Sequence, residues 1–367
     1  MANGRRMRLV VFGLSVSSSW GNGHAALWRG LIRALIREGH RVTFFERDTP
    51  WYAQHRDLTT LPPPARLALY SEWSAVLPDA RRAIADADAA IVTSYCPDGV
   101  AAARLVLDST VAVRCFYDMD TPVTLARRAA GDTPGYLPPE GLGGFDLVLS
   151  YTGGPALAEL RARLGARRTA VLYGWVDPEV YAPAAPTPGE TATLSYLGTY
   201  AADRQAMLER LLVGPARLRP ASRFVIGGAQ YPQDFPWTNN IFFRRHVPQC
   251  AHAAFYAASR ITLNVTRGAM AGMGWCPSGR LFEAAGCGVP ILSDAWQGLD
   301  EFFAPGDEIM VATTTAEACA ALDTPDAMLA HMARRARERT LDQHTATPRA
   351  RQLVALLTDA ATAETVP

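Results

Sequence analysis

The sequence contains no lysine, and all 36 of its basic residues are arginines. This absence excludes chemistry that depends on a lysine amine, such as a Schiff base or the lysine of a phosphate-binding P-loop. A positive charge that holds a phosphate must therefore come from arginine side chains or be replaced by backbone amides. With 35 acidic residues the net charge is +1, which gives no indication that nucleic acid or an anionic membrane is the main partner.

Cysteine pairs and long apolar runs are also lacking. The six cysteines include no C-x-x-C pair, which disfavours a zinc site or a disulfide framework and predicts a reducing, cytoplasmic location. No apolar run reaches the ~18 residues of a membrane-spanning helix. The short apolar run at residues 9–14 leads into serines without an A-x-A cleavage site. We therefore predict a buried first strand there, not a signal peptide.

What the chain does contain is a regular alternation of strand-like and helix-like segments. Its 367 residues, 49% apolar and 19% charged, are typical of a globular protein of about two domains. The alternation predicts the α/β class, with doubly wound parallel sheets. The clearest break in composition is the Pro/Ala-rich stretch at 182–189, so we place the domain boundary near residues 183–190.

The first predicted strand–helix unit has a glycine-rich turn. A strand at 8–14 leads into the loop SSSWGNGH, which ends at His24, and then into a helix at 25–38. Gly21 and Gly23 let the backbone approach a ligand closely. The loop lacks the third glycine of G-x-G-x-x-G, so a nicotinamide or flavin dinucleotide is the weaker alternative. His24 is predicted either as a catalytic base or ligand contact, or as a structural cap of the loop.

The stretch CPSGRLFEAAGCGVPILSDAWQGLDE, at 276–301, carries the strongest pattern. Ser278 and Gly279 predict a helix start, with Ser278 as the cap, and residues 289–293 follow as a buried parallel strand. Ligands bind such corners at helix N-termini. A diphosphate on these amides would have Glu283 one turn further in, where its carboxylate can accept hydrogen bonds from a ribose. The alternative is an ordinary helix–strand corner with a solvent-facing glutamate.

RLFEAAGCGVPILSDAWQGLDEFF resembles the donor-binding signature of GT-B glycosyltransferases. In particular it is similar to the CgeB-like (spore-maturation-type) group, distantly related to glycosyltransferase family 4, and SSWGNGH, FFERD and LNVTRG resemble the same group. The resemblance covers nearly the whole chain and implies two Rossmann-like domains facing across a cleft. It implies an acceptor-binding domain at 1–184, joined by a returning helix at 346–362, and a nucleotide-sugar domain at 190–345.

The resemblance assigns the donor site to the second domain. In the related enzymes a glutamate on this helix binds the nucleotide ribose, which implies that role for Glu283. Family 4 has another glutamate eight positions earlier that touches the donor sugar, where this sequence has Trp275. Arginines at strand and helix ends form a candidate diphosphate clamp; the alternative is that they are ordinary surface residues. The predicted donor-binding residues are Gly198, Thr199, Arg204, Arg267, Ser278, Gly279, Arg280 and Glu283.

The first domain is predicted to bind the acceptor. Asp118-Met119-Asp120 is a D-x-D, the metal motif of the GT-A glycosyltransferase fold, but this motif is common by chance in a chain of this length. We expect these aspartates to face the acceptor, with loop capping as the alternative. The predicted catalytic residues are His24 and Asp118, and the predicted acceptor-binding residues are Trp20, Gly21, Asn22, Gly23, Tyr95 and Asp120.

These patterns together predict a metal-independent glycosyltransferase without a cofactor. It would move a sugar from a nucleotide diphosphate sugar to a small molecule, a natural product or a glycan. If the enzyme inverts, His24 or Asp118 must deprotonate the acceptor hydroxyl; if it retains, the leaving phosphate can take that proton. The sequence leaves both routes open. Two other classes also remain: a non-catalytic nucleotide-sugar or glycan-binding protein and, less favoured, a nucleotide-dependent oxidoreductase.

Overall fold

The computed structural model describes residues 6–186, 189 and 191–363, and the chain divides into two compact units. Unit 1 comprises Met1–Tyr173 and Ala346–Pro367, and unit 2 comprises Gly174–Thr345. The division falls before the Pro/Ala-rich stretch, which lies partly outside the described residues. The segment that precedes this stretch packs within unit 2, because the Tyr181 hydroxyl hydrogen-bonds His252 Nδ1 at 3.1 Å.

Unit 1 is built on seven strands and seven helices of the described chain. The strands are β1 Arg8–Gly13, β2 Arg41–Arg47, β3 Arg66–Tyr70, β4 Ala89–Thr93, β5 Val113–Asp118, β6 Leu147–Ser150 and β7 Thr169–Val171. The helices are α1 Gly23–Arg37, α2 Pro50–Ala53, α3 Trp73–Ala85, α4 Gly99–Leu107, α5 Thr121–Ala129, α6 Ala156–Leu164 and, from beyond unit 2 in the chain, α14 Ala346–Ala363.

The strands of unit 1 form one parallel sheet in the order β3-β2-β1-β4-β5-β6-β7. Every residue of β4 is buried, as expected for a central strand of a parallel sheet covered on both faces. The strand order reverses between β1 and β4. In doubly wound sheets this reversal opens a crevice at the carboxyl ends of the strands, where ligands bind.

Helix α14 completes unit 1 by packing on α1. Leu353 and Leu357 are the largest of the buried apolar residues of this helix. Arg351 pairs with Glu38 at 2.8 Å, and the Gln352 amide donates to the Val171 carbonyl at 3.0 Å. The helix is therefore part of the core of unit 1 and also ties the end of α1 to β7.

Unit 2 repeats the same architecture with six described strands and seven helices. The strands are β8 Ala192–Leu197, β9 Phe224–Gly227, β10 Ile241–Arg244, β11 Ser259–Asn264, β12 Ile291–Ser293 and β13 Met310–Val311. The helices are α7 Gln205–Leu208, α8 Gly214–Leu218, α9 His252–Ala257, α10 Gly268–Met273, α11 Gly279–Gly286, α12 Thr315–Leu322 and α13 Asp326–Gln343.

The second sheet is also parallel, in the order β10-β9-β8-β11-β12-β13. Its strand order reverses between β8 and β11, so each unit has one switch point. Leu194, Ile226 and Leu263 come from three neighbouring strands and are fully buried in the core of this unit. The predicted α/β class with two Rossmann-like parallel sheets is confirmed.

Most predicted elements match the structure within a few residues. The sequence pattern predicts a strand at 89–93 and a helix at 156–164, and β4 and α6 have these bounds. Two features differ. The pattern does not predict strand β3 at Arg66–Tyr70, and it predicts a helix start at Asp300, where the structure has a single 3-10 turn, Leu299–Glu301. Within the described part of the chain, every helix is too short or too polar to span a bilayer.

Candidate functional site

The loop between β1 and α1 is held by one buried acid. Glu46, near the end of β2, is fully buried, and its carboxylate accepts hydrogen bonds from Ser15 Oγ, Val16 N, Ser17 N and Ser17 Oγ at 2.5–2.9 Å. These four donors compensate for the desolvation of the charge. The loop that leads to His24 is therefore fixed at its start by β2.

Asn22 fixes the other end of this loop. Its side-chain oxygen accepts a hydrogen bond from His24 N at 3.0 Å, which caps α1, and its amide donates to the carbonyls of Ser15 and Ser18. Asn22 is only 7% exposed. Asn22, predicted to contact the acceptor, is thus a buried helix cap. Its effect on a ligand would be to position His24.

His24 contacts Asp120, which lies directly after β5. The distance from His24 Nε2 to Asp120 Oδ2 is 2.9 Å, and the two side chains are 15% and 14% exposed. Ser94 Oγ donates to the same carboxylate oxygen at 3.0 Å. His24 Nδ1 is buried and has no hydrogen-bond partner among the described residues. The contact with the Asp120 carboxylate therefore fixes the orientation of the ring through Nε2.

Asp118 lies behind this pair. It is fully buried, and its Oδ1 accepts hydrogen bonds from Asp120 N at 3.0 Å and from Thr124 Oγ1 at 3.1 Å. Burial, together with the nearby negative charge of Asp120, raises the pKa of Asp118 to about 7. We expected Asp118 to be a catalytic base. The carboxylate in contact with His24 is that of Asp120, and Asp118 instead accepts hydrogen bonds from the Asp120 amide and from Thr124.

Tyr95 and Trp20 occupy different surroundings in unit 1. Tyr95 follows β4 and turns the edge of its ring toward His24, with ring centroids 6.1 Å apart. Trp20 stacks on His55 instead, with centroids 4.1 Å apart. Of the two glycines between Trp20 and His24, Gly21 has φ +60°, which favours glycine, whereas Gly23 is the first residue of α1 and a Cβ there would meet no atom.

In unit 2, the end of β8 meets the start of α11. A Cβ on Gly198 would lie 2.6 Å from Arg280 Nη2 and 2.8 Å from the Tyr196 hydroxyl, so glycine is required where the guanidinium passes. Arg280 donates from Nε to the Leu197 carbonyl, and its Cζ lies 4.7 Å from the centroid of the Tyr196 ring. The predicted pairing of Gly198 with Arg280 in one site is therefore a direct contact.

A buried polar network that the sequence did not reveal holds Arg280 in place. Arg280 Nη1 donates to Asn264 Oδ1 at 2.9 Å, and the Asn264 amide donates to Ser293 Oγ at 3.0 Å. Asp294, 2% exposed, accepts from Thr266 N at 3.0 Å and from Thr266 Oγ1 at 2.9 Å. The network joins the carboxyl ends of β11 and β12, and its members lie within LNVTRG and the SDAW part of the 276–301 stretch, whose patterns do not show which side chains meet.

Arg204 lies close enough to both Arg280 and Arg267 for their charges to act on it. Burial lowers the pKa of Arg204, and the positive charges of Arg280 and Arg267 lower it further. Arg204 donates to the Thr199 carbonyl at 3.1 Å, but its Nε is buried and has no partner among the described residues. Arg267 pairs with Asp203 at 3.3 Å. The three cations thus outnumber the two carboxylates that act on them, Asp203 and Glu283, which favours an anionic ligand.

The buried hydroxyl of Tyr196 adds to this arrangement. Tyr196 is 0% exposed, and its hydroxyl has no hydrogen-bond partner in the part of the chain that the structure describes. Buried polar atoms are normally satisfied, so one left open beside a guanidinium points to an absent ligand oxygen or water. Together with Arg204 Nε, it gives the end of β8 two donors without partners.

Helix α11 starts beside these arginines. Ser278 is its N-cap residue, but its side chain makes no capping hydrogen bond, so the predicted cap is wrong and the first amides are not covered by that side chain. One turn further along, Glu283 accepts a hydrogen bond from the buried Tyr256 hydroxyl at 3.2 Å. That bond fixes the direction of the carboxylate, which is only partly buried.

Trp275 precedes this helix in a constrained corner. Its φ is 44°, in the left-handed region, its amide donates to the Gln297 carbonyl at 2.7 Å, and its indole Nε1 donates to Glu301 Oε1 at 2.6 Å. A Cβ on Gly298 would lie 2.6 Å from the indole. The corner before α11 is therefore filled by an aromatic ring with a fixed orientation.

The two aspartates of Asp118-Met119-Asp120 lie in different surroundings. Asp118 is buried and Asp120 contacts His24, so the two carboxylates do not present a common open face. Among the described residues, no group of three or more histidine, cysteine or acidic side chains is arranged to hold a metal ion.

Comparison with known proteins agrees with this architecture. Residues 204–355 match the family model described as "Glycosyl transferase-like". No curated protein matches the sequence. The solved structures that match include the sucrose-phosphate synthase of Thermosynechococcus elongatus, with a TM-score of 0.72 and 15% identity over 98% of this chain and 100% of that chain.

Two further solved structures carry ligands. Anabaena Alr3699/HepE, in complex with UDP and glucose, matches with a TM-score of 0.65 and 14% identity over 96% of this chain and 100% of that chain. The catalytic domain of Starch Synthase IV from Arabidopsis thaliana, bound to ADP and acarbose, matches with a TM-score of 0.66 and 11% identity over 98% and 100%. At these identities the likeness establishes the fold, which is GT-B.

Proposed function

We propose that this protein is a glycosyltransferase of the GT-B type that takes a sugar from a nucleotide diphosphate sugar. The observation that carries the proposal is the placement of Arg204 and Arg280 beside the unpartnered Tyr196 hydroxyl, with Arg267 close to Arg204, at the switch point of unit 2. The three guanidinium groups outnumber the two carboxylates whose charges act on them, Asp203 and Glu283, so the group favours an anion, and a diphosphate supplies it. The match to a glycosyl transferase-like family model and the UDP and ADP in the related structures support this choice.

The donor nucleotide would use α11 as well as the arginines. The amides at Gly279 and Arg280 lie at the positive end of the helix dipole, where a phosphate is stabilised. Glu283, oriented by Tyr256, would accept hydrogen bonds from the ribose hydroxyls. As the sugar leaves, negative charge grows on the diphosphate, and the fixed guanidinium groups stabilise that charge more than they stabilise the ground state.

His24 would act as the base in unit 1. The acceptor hydroxyl would give its proton to His24 Nδ1, while Asp120 holds Nε2 and stabilises the imidazolium that forms. The acceptor oxygen then bonds to the anomeric carbon as the bond from that carbon to the phosphate oxygen breaks. A protein base in this position favours inverting transfer. It also favours turnover over mere binding, because a binding protein needs no histidine–aspartate pair.

The proposal also covers the acceptor and the use of a cofactor or metal ion. The acceptor would be a small molecule, a natural product or a glycan, and the similarity to the CgeB-like group remains an interpretation of the sequence. The proposed reaction needs neither a cofactor nor a metal ion, because arginines and amides supply the positive charge at the diphosphate.

Calorimetric titration with UDP-glucose, UDP-N-acetylglucosamine, ADP-glucose, GDP-mannose and the free diphosphates tests the donor site. We expect at least one to bind, and Glu283→Ala to weaken it about ten- to a hundredfold, because a hydrogen bond to a charged group contributes about 1.5–3 kcal/mol. Glu338→Ala, at an exposed position on α13, is the matched control. If none of these nucleotides binds, or if Glu283→Ala binds as the wild type does, the donor assignment is wrong.

A further inference from the structure

Tyr95 has a backbone conformation that aromatic residues rarely adopt. It lies directly after β4, at the switch point of unit 1, with φ at 59° in the left-handed region. Bulky side chains are strained there, and such residues persist where the surrounding structure holds them, most often at functional sites. The neighbouring Ser94 is held firmly, since its Oγ donates to Asp120 Oδ2 at 3.0 Å and accepts from Met119 N at 3.0 Å.

The strain places the Tyr95 ring between two others. Its centroid lies 5.1 Å from that of Tyr136, with an angle of 38° between the planes, and 6.1 Å from that of His24, which it meets edge to face. Ring pairs at these separations attract each other. Tyr95 is therefore next to the nitrogen-bearing ring that the proposed function uses as its base.

Tyr136 is a rigid support for that ring. It is 4% exposed, and its hydroxyl lies 2.8 Å from Thr124 Oγ1. A Cβ on Gly99 would lie 2.7 Å from Tyr136 Cα, so the start of α4 lies directly against the Tyr136 backbone. Tyr95 itself is only partly buried. Of the two tyrosines, Tyr95 is thus the one whose ring remains accessible beside His24.

We propose that Tyr95 is the surface on which the acceptor ring lies, and that the acceptor is a hydroxylated six-membered ring with a flat apolar face. The inference rests on the proposed function, because it uses His24 as the base. A ring stacked on Tyr95 would be held by apolar contact, which leaves its edge hydroxyl free to reach His24 Nδ1. Both a pyranoside and a phenol have this chemistry, and the experiment distinguishes them.

Two substitutions separate the ring from the backbone conformation. Tyr95→Asn removes the ring but tolerates the left-handed region, so the turn after β4 is kept. Tyr95→Phe retains the ring and loses only the hydroxyl. The acceptors are methyl β-D-glucopyranoside for the pyranoside and 4-methylumbelliferone for the phenol. The donor is whichever of UDP-glucose, UDP-N-acetylglucosamine, ADP-glucose and GDP-mannose the wild type binds.

We measure nucleoside diphosphate release with and without each acceptor, and follow acceptor binding separately by saturation-transfer NMR. The wild type and Tyr95→Phe should respond to one of the two ring compounds, and Tyr95→Asn should raise its KM about tenfold or more while kcat changes less. Equal acceptor KM in Tyr95→Asn and the wild type overturns the inference. So does a wild type that neither binds nor responds to either compound.

The NMR arm keeps this test independent of the proposed function. If no nucleotide sugar binds, the proposed donor chemistry fails, but ring binding that is lost in Tyr95→Asn still supports the Tyr95 surface. If donors bind and ring compounds do not, the proposed function survives and the Tyr95 surface is rejected. Thermal unfolding of both variants identifies a general loss of folding, in which case the comparison rests on Tyr95→Phe against Tyr95→Leu, which keeps bulk without an aromatic face.

Discussion

The carboxyl ends of the central strands carry different charged groups in the two units. At the switch point of unit 1, His24 is paired with Asp120, and Asp118 lies behind them with its pKa raised to about 7 by burial and by Asp120. At the switch point of unit 2, Arg204 and Arg280 repel each other, and the neighbouring carboxylate of Asp203 pairs with Arg267. Two sheets of the same topology thus carry a histidine–aspartate pair with a buried acid in one case and several arginines in the other.

This difference shows how one fold is used for two tasks. A general base needs a partner that orients it and stabilises its protonated form, and the Asp120 carboxylate is in the position to do so for the His24 ring. A group that binds a diphosphate must stay charged, and arginine is always protonated. The following predictions test whether the two units are divided in this way, from the largest expected effect to the smallest.

Replacing His24 should have the largest effect. If His24 is the base, His24→Ala lowers kcat for transfer by about 10²–10⁴-fold, because proton transfer in the transition state is lost. Steady-state rates with the donor found by calorimetry measure this loss. His331→Ala, on the exposed face of α13, is the control. Near-normal kcat in His24→Ala, with donor affinity unchanged, would leave unit 1 without its proposed chemical role.

Asp118 should make stability depend on pH. The unfolded chain releases this proton near the ordinary aspartate pKa, whereas the folded protein keeps it until about pH 7. The folded state therefore binds more protons in this window, and stability falls as pH rises through it. Asp118→Asn should remove this fall. The free energy of unfolding of Asp118→Asn minus that of the wild type should therefore increase by about 2–3 kcal/mol between pH 5 and pH 7.

Urea unfolding of both proteins at several pH values measures this difference. Asp342→Asn, an exposed position near the end of α13, controls for the loss of one negative charge. A constant difference between Asp118→Asn and the wild type from pH 5 to pH 7 would mean that Asp118 is ionised throughout that range.

The arginines of unit 2 should not contribute equally. Arg280→Ala removes a guanidinium that is held in place by Asn264 and Leu197, and should weaken nucleoside diphosphate binding by about ten- to a hundredfold. Arg267→Ala should cost less, because Arg267 is already paired with Asp203. Calorimetry with the free diphosphate measures both variants, with the exposed Arg334→Ala as control.

Asp120→Ala completes that series. It should change nucleoside diphosphate affinity less than Arg280→Ala does, since Asp120 belongs to unit 1. If instead Asp120→Ala abolishes nucleotide binding, the division of tasks between the units is wrong.

Chelation should have the smallest effect. Activity should survive excess EDTA, because arginines and helix amides provide the positive charge at the diphosphate. Rates with and without EDTA, and after addition of Mn²⁺, measure this. Activity that EDTA abolishes and Mn²⁺ restores would favour a metal-dependent site at Asp118-Met119-Asp120.

Local pattern was enough to predict the sheets. Short apolar runs such as β4 are buried on both faces and therefore appear in the sequence as continuous apolar segments. Strand β3 has an alternating burial pattern and lies at the edge of its sheet, and its sequence RLALY gives a weaker signal. The 3-10 turn at Leu299–Glu301 has acidic residues typical of a helix start, and only packing decides that the turn does not continue.

The sequence indicates a role for a residue where the residue type itself limits what the residue can do. It gives no such indication where the role depends on which of several similar residues faces the interior. A glycine before a basic loop, as at Gly198, indicates close approach of a ligand or a side chain. The choice between Asp118 and Asp120 depends on which of two residues in one tripeptide faces the interior, and no pattern in Asp-Met-Asp determines that. Asn264 and Asp294 support Arg280 through long-range contacts, so their roles appear only after β11 and β12 are paired.

Helix α14 gives the protein an unusual order of completion during synthesis. Unit 2 is continuous in the chain, whereas unit 1 needs α14, which the ribosome makes after all of unit 2. The buried face of α1 that α14 covers, and the pairing of Arg351 with Glu38, must therefore wait through the synthesis of an entire second domain. The incomplete first domain is thus exposed to chaperones and proteases for longer. A nonsense mutation at residue 346 would leave the chain of unit 2 whole and unit 1 without α14.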